Sequence, residues 1–148
     1  MFKKTPPTNI GQGLIGNVDS GNFGPLEKLA EHCEISIENL KNIFDYDGKK
    51  FILITKIEGG TEAEKQVRGA LLILTAWYKG LGEEWVTSIK LGEALSTRSI
   101  ATNHIVESLK AKNNLFKDNG KARRSMAYGL KTQGWQEGIR LIKELAGT

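Results

Sequence analysis

The segment from Ser96 to Lys131 narrows the possible folds more than any other part of this chain, because two periodicities follow one another within it. After a turn at Thr97-Arg98-Ser99-Ile100, Ile105 and Leu109 recur one helical turn apart, which predicts a helix from about Ala101 to Lys112. Leu115-Phe116 then opens a strand and the polar stretch Asp118-Asn119-Gly120-Lys121-Ala122-Arg123-Arg124-Ser125 turns. Met126, Tyr128 and Leu130 alternate on the return strand. The order is a helix followed at once by a charged β-hairpin. Arg98, Lys110, Lys112, Lys117, Lys121, Arg123, Arg124 and Lys131 against Glu107 and Asp118 leave this window at +6, although the whole chain of 148 residues carries only +4. Positive charge focused on one helix and one hairpin is complementary to a phosphate backbone.

The remaining pattern predicts mainly α structure with small β-hairpins, an α+β class. Glu58-Gly59-Gly60 is the expected joint, and Thr61-Glu62-Ala63-Glu64 after it is a capping-box signature that opens the longest helix and a domain over residues 61–148. From Glu62 to Lys79, Val67, Ala70, Leu71, Leu74, Trp77 and Tyr78 form one stripe, which Leu72, Ile73 and Ala76 widen beyond a single face. Such a helix is covered on two sides: at the centre of a domain, against the preceding segment, or in a dimer interface. Trp85-Val86-Thr87 forms a short strand, Ser88 caps a helix carrying Ile89, Leu91, Ala94 and Leu95, and Thr132 caps a final helix with Trp135, Gly138, Ile139, Ile142 and Leu145 inward.

Residues 25–58 read as a smaller helix-turn-helix-like module with a hairpin. Pro25 suits the first position of a helix containing Leu26, Leu29 and Ala30, and Ser36 caps a second with Ile37, Leu40, Ile43 and Phe44 on one face. Asp47-Gly48 then turns between Phe44-Asp45-Tyr46 and a strand over Lys50 to Thr55. Residues 1–24 are a Gly/Pro-rich arm expected to be flexible. Gly11-Gln12-Gly13-Leu14-Ile15-Gly16 within it matches the dinucleotide fingerprint in letters alone, since Pro6-Pro7-Thr8-Asn9 before it cannot be the buried strand that motif needs.

The residue inventory argues against several classes of function. His32 and His104 lack partners at a chelating spacing, and no nucleophile elbow, P-loop or Cys-x-x-Cys is present, so no enzyme activity, cofactor or metal is expected. Cys33 reads as a small buried apolar residue, and Trp77, Trp85 and Trp135 sit on apolar faces as core. The longest apolar run, Gly69 to Tyr78, is too short to span a bilayer, which predicts a cytoplasmic protein without a membrane partner.

Ile100, Ile105 and Leu109, followed by Tyr128-Gly129-Leu130-Lys131-Thr132-Gln133-Gly134, resemble the winged helix-turn-helix superfamily over about residues 64–146, in particular regulators of the MarR and PadR types. Lys131 stands where that pattern has Thr, and Lys112 where it has the last Leu of the recognition helix. The resemblance implies a sequence-selective double-stranded DNA-binding protein, a transcriptional regulator whose recognition helix enters a major groove while the wing meets the backbone. It places Thr102, Asn103 and His104 in the first turn of that helix and Ser108 one turn on, as base or phosphate contacts. Arg98, Lys112, Lys121, Arg123 and Arg124 become phosphate contacts. A homodimer, and a protein partner on the first module, are further expectations. The alternatives are RNA binding and a non-catalytic protein-interaction scaffold in a larger nucleoprotein assembly, the scaffold docking through exposed apolar residues such as Leu72 or Ile73.

Overall fold

The computed structural model describes residues 24–147 apart from position 59, so the glycine motif at 11–16 and nearly all of the N-terminal arm lie outside the described residues. The 20-residue helix α3 (Glu62–Leu81) organises everything else. Its start is the expected capping box: Glu64 N–H donates to Thr61 Oγ1 at 3.2 Å and Thr61 N–H to Glu64 Oε1 at 2.8 Å. Its end is Gly82, at φ 74°, a left-handed backbone that costs glycine nothing. Every residue from Gly69 to Trp77 is buried, too many for one face.

Two groups of elements cover that helix. On the N-terminal side, α1 (Pro25–Cys33) and the strand β2 (Phe51–Leu53) pack against it. The short α2 (Ile37–Leu40) is capped by Ser36, whose hydroxyl oxygen accepts the Asn39 N–H at 3.1 Å. Ile43, expected on the α2 helix, instead lies in a turn, and Phe44, expected both on that helix and at the head of the hairpin, opens the strand β1 (Phe44–Tyr46), which pairs antiparallel with β2. The Asp47 carboxylate accepts the N–H groups of Lys49 and Lys50 and Gly48 takes φ 96°, so the turn between the strands is as the Asp-Gly pair predicts. β2 stops at Leu53 rather than Thr55, because the Ile54 and Thr55 N–H groups turn back to the Ile43 carbonyl.

The remaining cover of α3 comes from the C-terminal half. Here β3 (Val86–Thr87), α4 (Ser88–Ser96), α5 (Ile105–Lys110), β4 (Phe116–Asp118), β5 (Ala127–Leu130) and α6 (Thr132–Leu145) follow in order, and the three strands form an antiparallel sheet in the order β3-β5-β4. The described residues are thus a mixed α+β arrangement with two small sheets. One buried cluster runs from Leu29 to Ile142, through α1, the first hairpin, α3 and α6. Leu72 at 0% and Ile73 at 2% exposure belong to it, which corrects the expectation that they are exposed docking residues. The reason is that α3 is packed from both halves of the chain, by α1 and β2 and by α4, α5, β5 and α6.

Two caps shift by one position. Thr87, not Ser88, caps α4 by accepting the Lys90 N–H at 3.2 Å. At α6 the extended residue is Lys131, held by its N–H to the Leu115 carbonyl at 2.9 Å, so Thr132 is already inside the helix and no side chain caps it. Nor does β5 alternate. All four of its residues are buried, because it is the central strand and its outer face is roofed at Gly129, where a Cβ would lie 2.8 Å from the Glu84 carbonyl and 3.0 Å from Lys117 Cε. Trp85, expected in the core, contributes to this roof and stays 38% exposed. No helix among the described residues is long and apolar enough to cross a membrane.

Candidate nucleic-acid interface

The approach to α5 is set by a side chain far away in sequence. Gln66, on α3, is 1% exposed, and its Nε2 donates to the Ala101 carbonyl at 2.6 Å and the Asn103 carbonyl at 3.0 Å. Its Oε1 accepts the Ser108 hydroxyl at 2.6 Å, so both ends of the amide are satisfied, as a buried polar group requires. The Ala101 N–H donates to Glu62 Oε2 at 2.8 Å, fixing the same loop from the first turn of α3. Ser99 at φ 61° and His104 at φ 68° both hold left-handed backbone, which an α-helix cannot contain.

These constraints delay α5 to Ile105, four residues beyond the expected start. Thr102, Asn103 and His104 therefore form the turn before the helix rather than its first turn. Asn103 and His104 are exposed there, while Thr102 is half-buried, its methyl near Gly92 of α4. His104 Nδ1 lies 4.0 Å from Glu107 Oε1, both side chains in solvent. Ser108 points inward, toward Gln66 and the His104 carbonyl, so its hydroxyl is already engaged. Lys112 follows the end of α5 and is exposed.

The basic turn between β4 and β5 is held by Asn119. Its Oδ1 accepts the N–H groups of Lys121 and Ala127, each at 3.1 Å, and its Nδ2 donates to the Ser125 carbonyl at 2.8 Å. Asp118 Oδ1 accepts the Gly120 N–H at 2.8 Å, and Gly120 takes φ 76°. Arg123 opens a single 3-10 turn, Arg123–Ser125, that packs against α4, and the Met126 carbonyl accepts the Ser88 N–H at 2.9 Å. Lys121 and Arg124 are thus exposed cations on a backbone with fixed geometry.

Other predicted contacts are not gathered there. The Arg98 guanidinium donates to the Ile54 carbonyl at 2.8 Å and to its neighbour Thr97 at 3.0 Å, tying the end of α4 to the first hairpin. Lys117 pairs with Glu84 and lies 4.9 Å from the Trp85 ring centroid, under the outer face of the sheet. Lys110, Lys112, Lys121, Arg124 and Lys131 are exposed and have no carboxylate within 4 Å among the described residues.

Sequence reasoning passed over Gln66. The signal was a long uncharged polar side chain in a helix that must be covered on two sides, since such a group is buried only with partners. It also passed over a groove of about 450 Å³ between α4, α5 and β5, lined by Ile89, Thr102, Val106, Met126 and Tyr128 among others. Ile89 is 50% exposed on it, and burial raises the Tyr128 phenol above its usual pKa, with Asp118 and Glu107 adding to the effect. The Tyr128 hydroxyl has no partner among the described residues. No three His, Cys, Asp or Glu side chains are gathered as metal ligands among those residues. Comparison of the chain with protein-family models, curated proteins and solved structures gives no match.

Proposed function

We propose that residues 61–148 are a winged helix-turn-helix that binds double-stranded DNA selectively, as a transcriptional regulator, with α5 as recognition helix and the 118–125 turn as wing. The succession α3, β3, α4, α5, β4, turn, β5, α6 and the strand order β3-β5-β4 support the fold assignment. The observation that carries the function is the pair Lys121 and Arg124, exposed and without acidic partners among the described residues, on a turn braced by Asn119 and resting on α4. Asn103 and His104, exposed before α5, are the proposed base-edge contacts, and Lys110 at its last position and Lys112 just beyond it are phosphate contacts. Arg123 joins the wing set by position. Arg98 and Ser108 are positioning residues in this reading, because their polar groups are already committed within the protein. A homodimer would double the short site that one such unit reads.

The test is a salt titration of binding to duplex DNA. Lys121→Ala with Arg124→Ala is expected to weaken binding and reduce the slope of log K against log salt by about 1.8, some 0.9 for each phosphate no longer neutralised. An unchanged slope refutes the wing assignment. The protein-scaffold reading is kept alive by Ile89, half exposed beside Val106 and Met126. Should Ile89→Ala abolish a protein association while the double cation variant leaves it intact, that reading replaces DNA binding.

A further inference from the structure

A cavity of about 610 Å³ opens between the β1–β2 hairpin, the C-terminal half of α3 and α4, away from the basic turn. That volume lies within the range of about 300–1,000 Å³ typical of small-molecule sites. Phe51 and Leu53 from β2, Trp77 and Leu81 from α3, and Ala94 from α4 give it apolar walls. Lys49 and Lys50 of the hairpin and Lys90 of α4 also line it. All three are exposed, and none has a carboxylate within 4 Å among the described residues, although Glu83 and Glu93 also line the cavity. The Lys90 ammonium sits 5.6 Å from the centroid of the Trp77 ring. Apolar walls under ammonium groups that lack a carboxylate partner among the described residues are complementary to a ligand that is greasy at one end and negative at the other.

The Trp77 ring forms part of this wall. It is 7% exposed, yet its indole N–H has no acceptor among the described residues. Buried donors almost always have partners, and the ring that carries this one is part of the cavity wall. That N–H is itself shielded from solvent, so what Trp77 offers a ligand in the cavity is ring surface.

We propose that this cavity is a binding site for a small organic anion, an apolar body bearing one carboxylate or sulfonate. The body packs against Phe51, Leu53 and Ala94, and the charged group lies among Lys49, Lys50 and Lys90. The site joins the first hairpin to α4, and it stands whether or not the basic turn binds DNA.

The experiment titrates two fluorescent probes of the same shape into the full chain: 8-anilinonaphthalene-1-sulfonate, and the uncharged N-phenyl-1-naphthylamine. The sulfonate is expected to bind saturably at one per chain and several-fold more tightly than the neutral probe at low salt, the advantage shrinking at high salt. Lys50→Gln and Lys90→Gln should each weaken the sulfonate by up to about five-fold and leave the neutral probe unchanged, as for solvent-facing charge pairs. Ala94→Phe, which fills the cavity, should abolish binding of both. Ala94→Leu serves the same purpose should circular dichroism find the phenylalanine variant unfolded. Non-saturable binding, equal affinity for the two probes, indifference to both lysine changes, or full binding by a folded Ala94 variant each overturns the proposal.

Discussion

Replacing Gln66 by leucine tests the link between the central helix and the proposed recognition helix, because leucine nearly conserves volume while removing every hydrogen bond of the amide. Three bonds disappear: two from Nε2 to the Ala101 and Asn103 carbonyls, and one from the Ser108 hydroxyl to Oε1. At about 0.5–1.5 kcal/mol net for each, the loss is bounded by roughly 1.5–4.5 kcal/mol. Ala101 and Asn103 are exposed residues whose carbonyls can turn to water, and Ser108 retains the His104 carbonyl, so the lower half of that range applies, about 1.5–3 kcal/mol. For a chain of this length that corresponds to a fall in Tm of about 5–10 °C. Urea unfolding measures the stability, and fluorescence anisotropy on duplex DNA across a salt series measures binding. The expected pattern is a lower midpoint and weaker binding with an unchanged salt slope, since no cation is removed, whereas the Lys121/Arg124 variant keeps its stability and loses slope. A stability change below about 0.5 kcal/mol would refute the anchoring role of Gln66, and a flattened slope would refute the separation of positioning from phosphate contact.

Gly138→Ala sets a helix-propensity gain of about 1 kcal/mol against a Cβ only 1.9 Å from Thr75 Oγ1 and 3.1 Å from the Leu71 carbonyl. Overpacking should win, with a net loss of about 2 kcal/mol in urea unfolding, partly recovered when Thr75→Ala removes the colliding hydroxyl, which has no partner among the described residues. Asn119→Ala should cost about 1–2 kcal/mol and speed exchange of the Ala127 amide by NMR, because that amide loses its acceptor. Burial pushes the Cys33 thiol up to about 11, against 9.0 for a free thiol, with Lys143 opposing the shift. The folded state therefore keeps the proton longer than the unfolded state. Its contribution is intact below about pH 9 and is lost as pH rises toward 11. The parent should accordingly lose urea stability relative to Cys33→Ala across that window, and equal loss in both chains would contradict the burial argument.

Features written within four or five residues of one another were legible directly. The Thr61/Glu64 capping box, the Ser36 cap and the Asp47-Gly48 turn each depend on a side chain reaching its own neighbouring backbone, and each stands where the pattern puts it. The order of helices and strands in the second half, and the coverage of α3 on more than one side, follow from periodicity alone. The candidate site was legible only in part. Lys121 and Arg124 could be placed on an exposed turn because Asn-Gly and adjacent charges forbid burial, but the start of α5 could not, since Gln66 some 35 positions earlier removes the carbonyls of Ala101 and Asn103 from any helical ladder.

Sequence by itself therefore determined the kinds of element, their order and where the positive charge concentrates, because propensity, capping and net charge are properties of near neighbours. Tertiary structure decided which groups remain free to act. Arg98 is taken by Ile54, Ser108 by Gln66 and Lys117 by Glu84, while Leu72 and Ile73 are buried in the core. It also created the cavity beside Trp77, whose walls come from three elements that only packing brings together. The physical reason is the same in each case: a hydrogen bond or a buried contact between distant residues depends on how elements dock, and docking satisfies the whole apolar surface at once rather than any local stretch of it.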